Sequence, residues 1–209
     1  MTQIALLGDS IFDNGAYVDG GPDVVALLRG ELGDAAEAML LAVDGAVVGG
    51  VERQLERLPR SVTHLAVSAG GNDALGSSFV LEQAVRSVGE GVAVLAEVQR
   101  RFRAEHRRML ERVRACGLPT IVATIYDANF EPPQKEVVTT ALSVFNDAIT
   151  RNAVSLDMDV LDLRLTCSEP ADFANPIEPS VQGGRKMAGA LARWMRSPAA
   201  PGLASRVFV

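Results

Sequence analysis

The sequence predicts an α/β protein in which helices cover both faces of a parallel sheet. Short apolar runs alternate with longer segments in which apolar residues recur every three or four positions, a pattern typical of alternating strands and helices. The strand candidates are apolar throughout rather than at every second position, which indicates burial on both faces of the sheet. Small polar clusters follow the first four of these runs.

Each predicted strand is a short apolar run that ends at glycine or at polar residues. The first run, for example, leads directly into Gly8, Asp9 and Ser10. The predicted strands are residues 4–7, 38–43, 65–69, 120–125 and 160–163. In a parallel sheet ligands bind outside the carboxyl ends of the strands, so the polar clusters there are the first indication of a site.

The predicted helices are identified by apolar stripes and by the residues that stop them. The longest stripe ends before Gly117 and Pro119, both typical of a helix terminus. Gly89 and Gly91 lie inside this stripe and leave open a division into two helices. The predicted helices are residues 22–32, 51–58, 80–115, 136–156 and 181–196.

Length and composition predict one globular domain over residues 1–209. Hydrophobic residues make up 48% of the chain and charged residues 22%, as in ordinary globular proteins, and we find no Gly/Ser linker. The formal net charge of −6 argues against nucleic acid or an anionic membrane as a general partner.

The scarcity of histidine and cysteine restricts the chemistry. His64 and His106 are the only histidines, and Cys116 and Cys167, far apart in the sequence, are the only cysteines. We therefore expect no histidine- or cysteine-rich metal site and interpret both cysteines as small buried side chains. The chain has no apolar stretch of about 20 residues and no basic amino-terminal segment, so we expect no stable membrane insertion and a cytoplasmic location. The oligomeric state stays open.

The loop after the first strand does not fit a nucleotide site. Residues 8–15 read GDSIFDNG, which is neither a dinucleotide fingerprint nor a P-loop. Asp9 and Asp13 would also repel a phosphate at this turn. We therefore expect no nucleotide or other organic cofactor.

Nucleophilic catalysis fits these loops better. Ser10 lies at the ligand-binding edge of the predicted sheet, and Gly45 and Asn72 follow the next two strands. The backbone N–H groups of Ser10 and Gly45 and the side-chain amide of Asn72 are suitable donors for the oxyanion of an acyl-transfer reaction. Taken singly, Ser10 could instead be a helix cap, and Gly45 and Asn72 could be turn residues.

Four sequence blocks in order resemble the GDSL/SGNH hydrolases. They are residues 8–15 (GDSIFDNG), 43–46 (VDGA), 70–73 (GGND) and 175–180 (NPIEPS). The resemblance implies a flavodoxin-like three-layer α/β/α sandwich with five parallel strands in the order 2-1-3-4-5. It also implies esterase, lipase or thioesterase activity on a small-molecule ester or thioester. Ser10 would be the nucleophile, and Ser10, Gly45 and Asn72 would form the oxyanion hole.

The last block departs from the family pattern D-x-x-H-P-S. Glu178 stands at the histidine position and Asn175 at the aspartate position, and neither His64 nor His106 is well placed to substitute. Two interpretations follow. Either Glu178 is an atypical general base oriented by Asn175, or the site is impaired and the protein binds an acyl or carbohydrate ligand without turnover.

Donor and acceptor chemistry favours the first interpretation. A histidine offers an N–H that an aspartate accepts, whereas a glutamate offers none. An asparagine amide can instead donate to a carboxylate, so changing both residues preserves the match. Apolar burial can raise the pKa of a catalytic glutamate to roughly 6–7, which makes it a stronger base. The sequence therefore predicts a Ser10–Glu178–Asn175 arrangement.

Overall fold

The computed structural model describes residues 2–197 and 205–209. Its main sheet contains six parallel strands, in the spatial order β2-β1-β3-β4-β5-β8, and a separate antiparallel pair is formed by β6 and β7. The strands are β1 (Thr2–Gly8), β2 (Ala36–Leu40), β3 (His64–Ser68), β4 (Thr120–Ala123), β5 (Asp159–Leu161), β6 (Phe173–Asn175), β7 (Glu178–Pro179) and β8 (Val207–Phe208).

The predicted α/β/α architecture and the strand order 2-1-3-4-5 are confirmed. The predicted count of five strands is wrong, because Val207–Phe208 adds a sixth strand beside β5, with Val160 facing Val207. A strand of two residues is too short to produce a recognisable sequence pattern. The second strand also lies earlier than predicted, at Ala36–Leu40 instead of residues 38–43.

Helices pack on both faces of the sheet because alternate residues of β1 are buried on opposite sides. Ile4 and Leu6 belong to the core beneath the first helix, α1 (Val24–Leu32), and the last helix, α7 (Val181–Arg196). Ala5 and Leu7 belong to the core beneath α2, α4 and α5. The helices are α1 (Val24–Leu32), α2 (Val51–Leu55), α3 (Gly71–Gly76), α4 (Val88–Arg114), α5 (Gln134–Ser155), α6 (Leu163–Thr166) and α7 (Val181–Arg196). Short 3-10 turns occur at Gly15–Tyr17, Gly33–Ala35, Val48–Gly50, Ser78–Glu82 and Pro170–Asp172.

The long helical stripe begins later than predicted. Residues 80–115 do not form one helix, because a 3-10 turn at Ser78–Glu82 precedes α4, which starts at Val88. The Ser87 hydroxyl accepts a hydrogen bond from the Glu90 N–H at 3.1 Å and caps the helix. Gly89 therefore lies in the first turn of α4 and does not divide it.

The prediction that both cysteines are buried is right for one of them. Cys167 is buried, whereas Cys116 is exposed. Cys116 follows the last turn of α4, where the chain leaves the helix towards the Gly117 turn, so no neighbouring element covers it.

Gly8 closes β1 in a conformation that only glycine adopts readily. Its φ is +122°, and a Cβ atom there would lie 1.6 Å from the carbonyl oxygen of Ser68 on the neighbouring strand. The buried side chain of Gln54 accepts from the Gly8 N–H at 2.7 Å and donates to the Gly8 carbonyl at 2.8 Å. Both the N–H and the carbonyl of Gly8 are therefore held by one side chain, which fixes the backbone shortly before Ser10.

Gly8→Ala should destabilise the protein by about 3 kcal/mol or more, because the added methyl group overlaps Ser68 and the backbone is strained. Urea unfolding monitored by circular dichroism measures the change. Gly30→Ala is the matched control: Gly30 lies in α1 with no atom within 4 Å of an added Cβ, and alanine there should stabilise by about 0.5–1 kcal/mol. A Gly8→Ala protein as stable as the parent would contradict this account.

Candidate active site

Ser10 lies in a tight turn directly after β1. The N–H groups of Phe12 and Asp13 both donate to the Asp9 carbonyl at 3.1 Å, and the Asp9 N–H donates to the Ser68 carbonyl at 3.1 Å. The turn holds Ser10 at the carboxyl edge of the sheet, beside the end of β3. Because the serine is 7% exposed, its hydroxyl is largely removed from bulk water.

Glu178 reaches the same place from the other end of the chain. It begins β7 of the antiparallel pair, and the residues on either side of it are held by distant side chains. The Tyr126 hydroxyl donates to the Ile177 carbonyl at 2.6 Å, and the Asn14 amide donates to the Pro179 carbonyl at 3.2 Å. These two bonds fix the backbone of Glu178 over the Ser10 turn.

The structure brings Ser10 and Glu178 into direct contact. The Ser10 hydroxyl donates to Glu178 Oε1 at 3.1 Å, inside the protein. Burial raises the pKa of Glu178 above the usual value of a glutamate, and the hydrogen bond from Ser10 opposes this shift only in part. Among the residues that the structure describes, none forms a hydrogen bond with the buried Glu178 Oε2. One carboxylate oxygen therefore faces the serine, and the other is buried.

Asp9 is a second buried carboxyl group beside the same serine. Its Oδ1 accepts from the Ile11 N–H at 3.2 Å and from the Ser68 hydroxyl at 3.3 Å. Burial raises the pKa of Asp9 to about 7 despite these two bonds, and the charge of Glu178 adds to the shift. Near neutral pH, Asp9 therefore holds a proton for a substantial part of the time.

Among the described residues, Asn175 forms no hydrogen bond with the carboxylate of Glu178. Its side chain is exposed, and its Oδ1 accepts from the Ile177 N–H at 3.0 Å. Asn175 and Glu178 are nevertheless paired across β6 and β7. The asparagine therefore fixes the short turn that leads into Glu178, and its predicted donation to the carboxylate stays a prediction.

Neither histidine faces Ser10. His64 begins β3, at the opposite edge of the sheet, and its ring packs at a right angle against Trp194. His106 is fully buried in α4 against Phe102. Burial lowers the pKa of His106 to about 4, so the ring is neutral at physiological pH. Both positions agree with structural roles.

The segments that carry the two remaining oxyanion-hole candidates are joined by a hydrogen bond. Gly45 has a φ of +74° in the exposed loop after β2, and Asn72 lies in the first turn of α3. The Asn72 amide donates to the Ala46 carbonyl at 3.0 Å, which ties its side chain to the Gly45 loop. Within the described part of the chain, the N–H groups of Ser10 and Gly45 have no acceptor. They are free to bind an oxyanion.

An apolar cavity of about 250 Å³ extends from the catalytic edge between α3, α4 and α5. Asp9 and Glu178 form its polar end, next to Ser10. Its apolar walls include Leu75, Leu81, Leu95, Val98, Leu142 and Phe145. A more open depression of about 380 Å³, lined by Tyr17, Phe130, Asn175, Pro176 and Ile177, meets Glu178 from the other side. Phe130, Ile177 and Glu178 line both spaces.

Three residues that hold the site were not found from the sequence. Gln54 clamps Gly8, while Asn14 and Tyr126 hold the backbone around Glu178. Asn14 belongs to the first sequence block, and its position there could have indicated that it supports the site. Gln54 and Tyr126 act on backbone atoms more than 40 residues away, and no local pattern indicates such contacts.

The sheet order and the serine turn after β1 are those of a three-layer α/β/α protein of the SGNH-hydrolase type. A family model described as "GDSL-like Lipase/Acylhydrolase family" matches residues 6–186. The chain therefore belongs to the GDSL-like lipase/acylhydrolase family, and its class of activity is ester hydrolysis. No curated protein matches the chain.

Solved structures share the fold at low sequence identity. An extracellular lipase from Streptomyces rimosus has a TM-score of 0.67 at 15% identity, with 94% of this chain and 100% of that chain covered. Phospholipase A1 from Streptomyces albidoflavus has a TM-score of 0.65 at 16% identity, with 94% of this chain and 99% of that chain covered. An acetyl xylan esterase variant from Geobacillus stearothermophilus has a TM-score of 0.63 at 19% identity, with 96% of this chain and 97% of that chain covered. At these identities the likeness establishes the fold.

No cluster of three or more His, Cys, Asp or Glu side chains that could hold a metal ion occurs in residues 2–197 and 205–209. In the same ranges no helix combines the length and apolar character needed to cross a bilayer. The cytoplasmic location stays a prediction.

The raised pKa of Asp9 should reduce stability as the pH rises. The folded protein keeps the Asp9 proton up to about pH 7, whereas the unfolded chain releases it near 3.8. The free energy of unfolding contributed by Asp9 is therefore fully present below about pH 4 and is lost between about pH 4 and 7, by up to about 4 kcal/mol.

Asp9→Asn removes this titration and keeps an oxygen that can accept from Ile11 and Ser68. Urea unfolding at pH 4, 5.5, 7 and 8 should show that the difference in stability between variant and parent shifts in favour of the variant as the pH rises. A difference that is constant over this range would exclude a raised pKa for Asp9.

Proposed function

We propose that the protein hydrolyses esters or thioesters of an apolar acyl group through an acyl-enzyme on Ser10, with Glu178 as the general base. The hydrogen bond from the Ser10 hydroxyl to the buried Glu178 carboxylate is the observation that carries this proposal. It supplies the nucleophile–base pair that covalent catalysis requires. Family membership supports the reaction class.

In the first half-reaction, Ser10 Oγ attacks the acyl carbon and its proton passes to Glu178 Oε1. The tetrahedral oxyanion is stabilised by the N–H groups of Ser10 and Gly45 and by the Asn72 amide. When the intermediate collapses, the bond to the leaving group breaks, and the leaving alcohol or thiol takes the proton from Glu178. The acyl group remains on Ser10 as an ester.

In the second half-reaction, water takes the place of the leaving group. Glu178 removes a proton from the water, whose oxygen attacks the acyl-Ser10 carbon. The bond between that carbon and Ser10 Oγ then breaks, Glu178 returns its proton to Ser10 Oγ, and the acid leaves. Once Ser10 is acylated, its oxygen has no proton to donate, so Glu178 Oε1 loses that partner and can accept a hydrogen bond from the attacking water. Asn175 is a positioning residue here, acting through the Ile177 N–H on the turn before Glu178.

The raised pKa of Glu178 suits it to this task. A carboxylate that holds its proton more tightly than an ordinary glutamate is a stronger base towards the serine hydroxyl. The group must be ionised to accept that proton, so the rate should fall when the pH drops below the pKa of Glu178. The buried setting thus compensates in part for the absence of histidine.

Ser10→Ala should lower kcat/KM for p-nitrophenyl esters and acyl thioesters at least about 10³-fold, because the nucleophile is removed. Glu178→Gln keeps the size of the side chain but cannot accept the proton, and should lower kcat/KM about 10²- to 10⁴-fold. Ser143→Ala and Glu136→Gln change exposed residues of α5 and should behave like the parent.

Turnover that survives both active-site substitutions would exclude this mechanism. An inactive parent that still binds acyl ligands would instead identify an impaired, binding-only member of the family.

The apolar cavity predicts a preference for longer acyl chains. Each additional methylene buried in the cavity should raise kcat/KM about three- to fourfold until the cavity is filled. An acyl series from C2 to C14 with a common leaving group measures this. Ala141→Phe, in the cavity wall, should abolish the gain for long chains and spare the acetyl ester.

Ala104→Phe is the matched control, since Ala104 is exposed on α4 and is not part of the cavity wall. It should leave the chain-length profile unchanged. An acetyl ester preferred over all longer chains would show that the cavity does not receive the acyl group.

A further inference from the structure

An apolar surface adjoins the cavity through Leu75 and Leu81. Six large hydrophobic side chains in residues 75–92 are exposed, among them Phe79 at 64% and Val88 at 84%. We call this surface the collar; it consists of Leu75, Phe79, Leu81, Val85, Val88 and Val92. Contiguous exposed apolar groups of this size are uncommon on soluble monomers and mark interaction surfaces.

The collar is continuous with the walls of the cavity. Leu75 and Leu81 belong to both, since each is exposed on one side and lines the cavity on the other. On α4, Val88 and Val92 lie on the same helical stripe as Leu95, which lines the cavity. An apolar path therefore runs from the outer surface to the compartment beside Ser10.

The charge of the collar indicates the kind of surface it fits. Residues 75–92 contain three charged side chains, Glu82, Arg86 and Glu90, and Arg86 is paired with Glu90 at 3.3 Å. The segment therefore has no excess of basic side chains, and the whole chain has a formal net charge of −6. An anionic bilayer would repel such a surface, whereas a neutral or zwitterionic one would not.

We propose that the collar docks the protein on neutral or zwitterionic lipid, so that an acyl chain passes from the lipid into the cavity without crossing water. A second copy of the chain on the same surface would cover the cavity mouth and close the route to Ser10. The path from collar to cavity therefore favours lipid over self-association.

Vesicle flotation with the Ser10→Ala protein tests docking without turnover, so the result does not depend on the proposed hydrolase activity. Protein should float with phosphatidylcholine vesicles and bind less to vesicles containing phosphatidylglycerol. The double substitution Phe79→Ser and Val88→Ser should weaken partitioning at least about tenfold, because neither residue lines the cavity and both lose apolar contact with lipid.

Leu165→Ser is the matched control: Leu165 is 65% exposed on α6, outside the collar, and its substitution should leave flotation unchanged. In protein that keeps Ser10, the collar substitutions should leave the hydrolysis of a dissolved acetyl ester unchanged. Unchanged hydrolysis shows that the fold is intact. Val92→Ser alone gives a second, milder test.

Absence of flotation, or an equal loss in Leu165→Ser, would overturn the proposal. A dimer seen by light scattering that the collar substitutions dissociate, with vesicle binding unaffected, would overturn it in favour of a second copy.

Discussion

The site depends on one hydrogen bond between residues that lie 168 positions apart, from the Ser10 hydroxyl to Glu178. Its length is set by backbone constraints on both partners. The Gln54 clamp on Gly8 fixes the serine side, and the bonds of Asn14 and Tyr126 fix the glutamate side. Most of these supports are themselves long-range, so the site exists only when the whole sheet has formed.

Burial is the physical cause of the unusual chemistry at this edge. Two carboxyl groups, Asp9 and Glu178, are almost fully covered, and their pKa values are raised because the charged form loses its hydration. Burial of these carboxyl groups destabilises the folded protein. It also makes Glu178 a stronger base than a solvated glutamate, which the function proposed for it requires. The same apolar surroundings that raise the pKa of these groups also line the cavity, in which we propose that the acyl chain binds.

The alternating pattern of the sequence predicts the parallel sheet and the place of Ser10, because both depend on local periodicity and on loops at strand ends. The strand order is a long-range property, and it was expected only from the resemblance to the GDSL/SGNH hydrolases. The short strands at Phe173–Asn175, Glu178–Pro179 and Val207–Phe208 carry too few residues for periodicity to register. Asn175 shows a further limit. Donor–acceptor matching correctly describes what an amide can offer, but the turn geometry directs its oxygen to Ile177.

The central claim is that Glu178 activates Ser10, and the pH dependence of Ser10 phosphonylation by an uncharged fluorophosphonate tests it most directly. Intact-mass spectrometry measures the rate, and peptide mapping identifies the residue. The account predicts a single adduct on Ser10, a rate that rises with pH through one ionisation above the ordinary glutamate value of 4.5, and a large loss of rate in Glu178→Gln. A rate that is unchanged in Glu178→Gln, or an adduct on another residue, would contradict it.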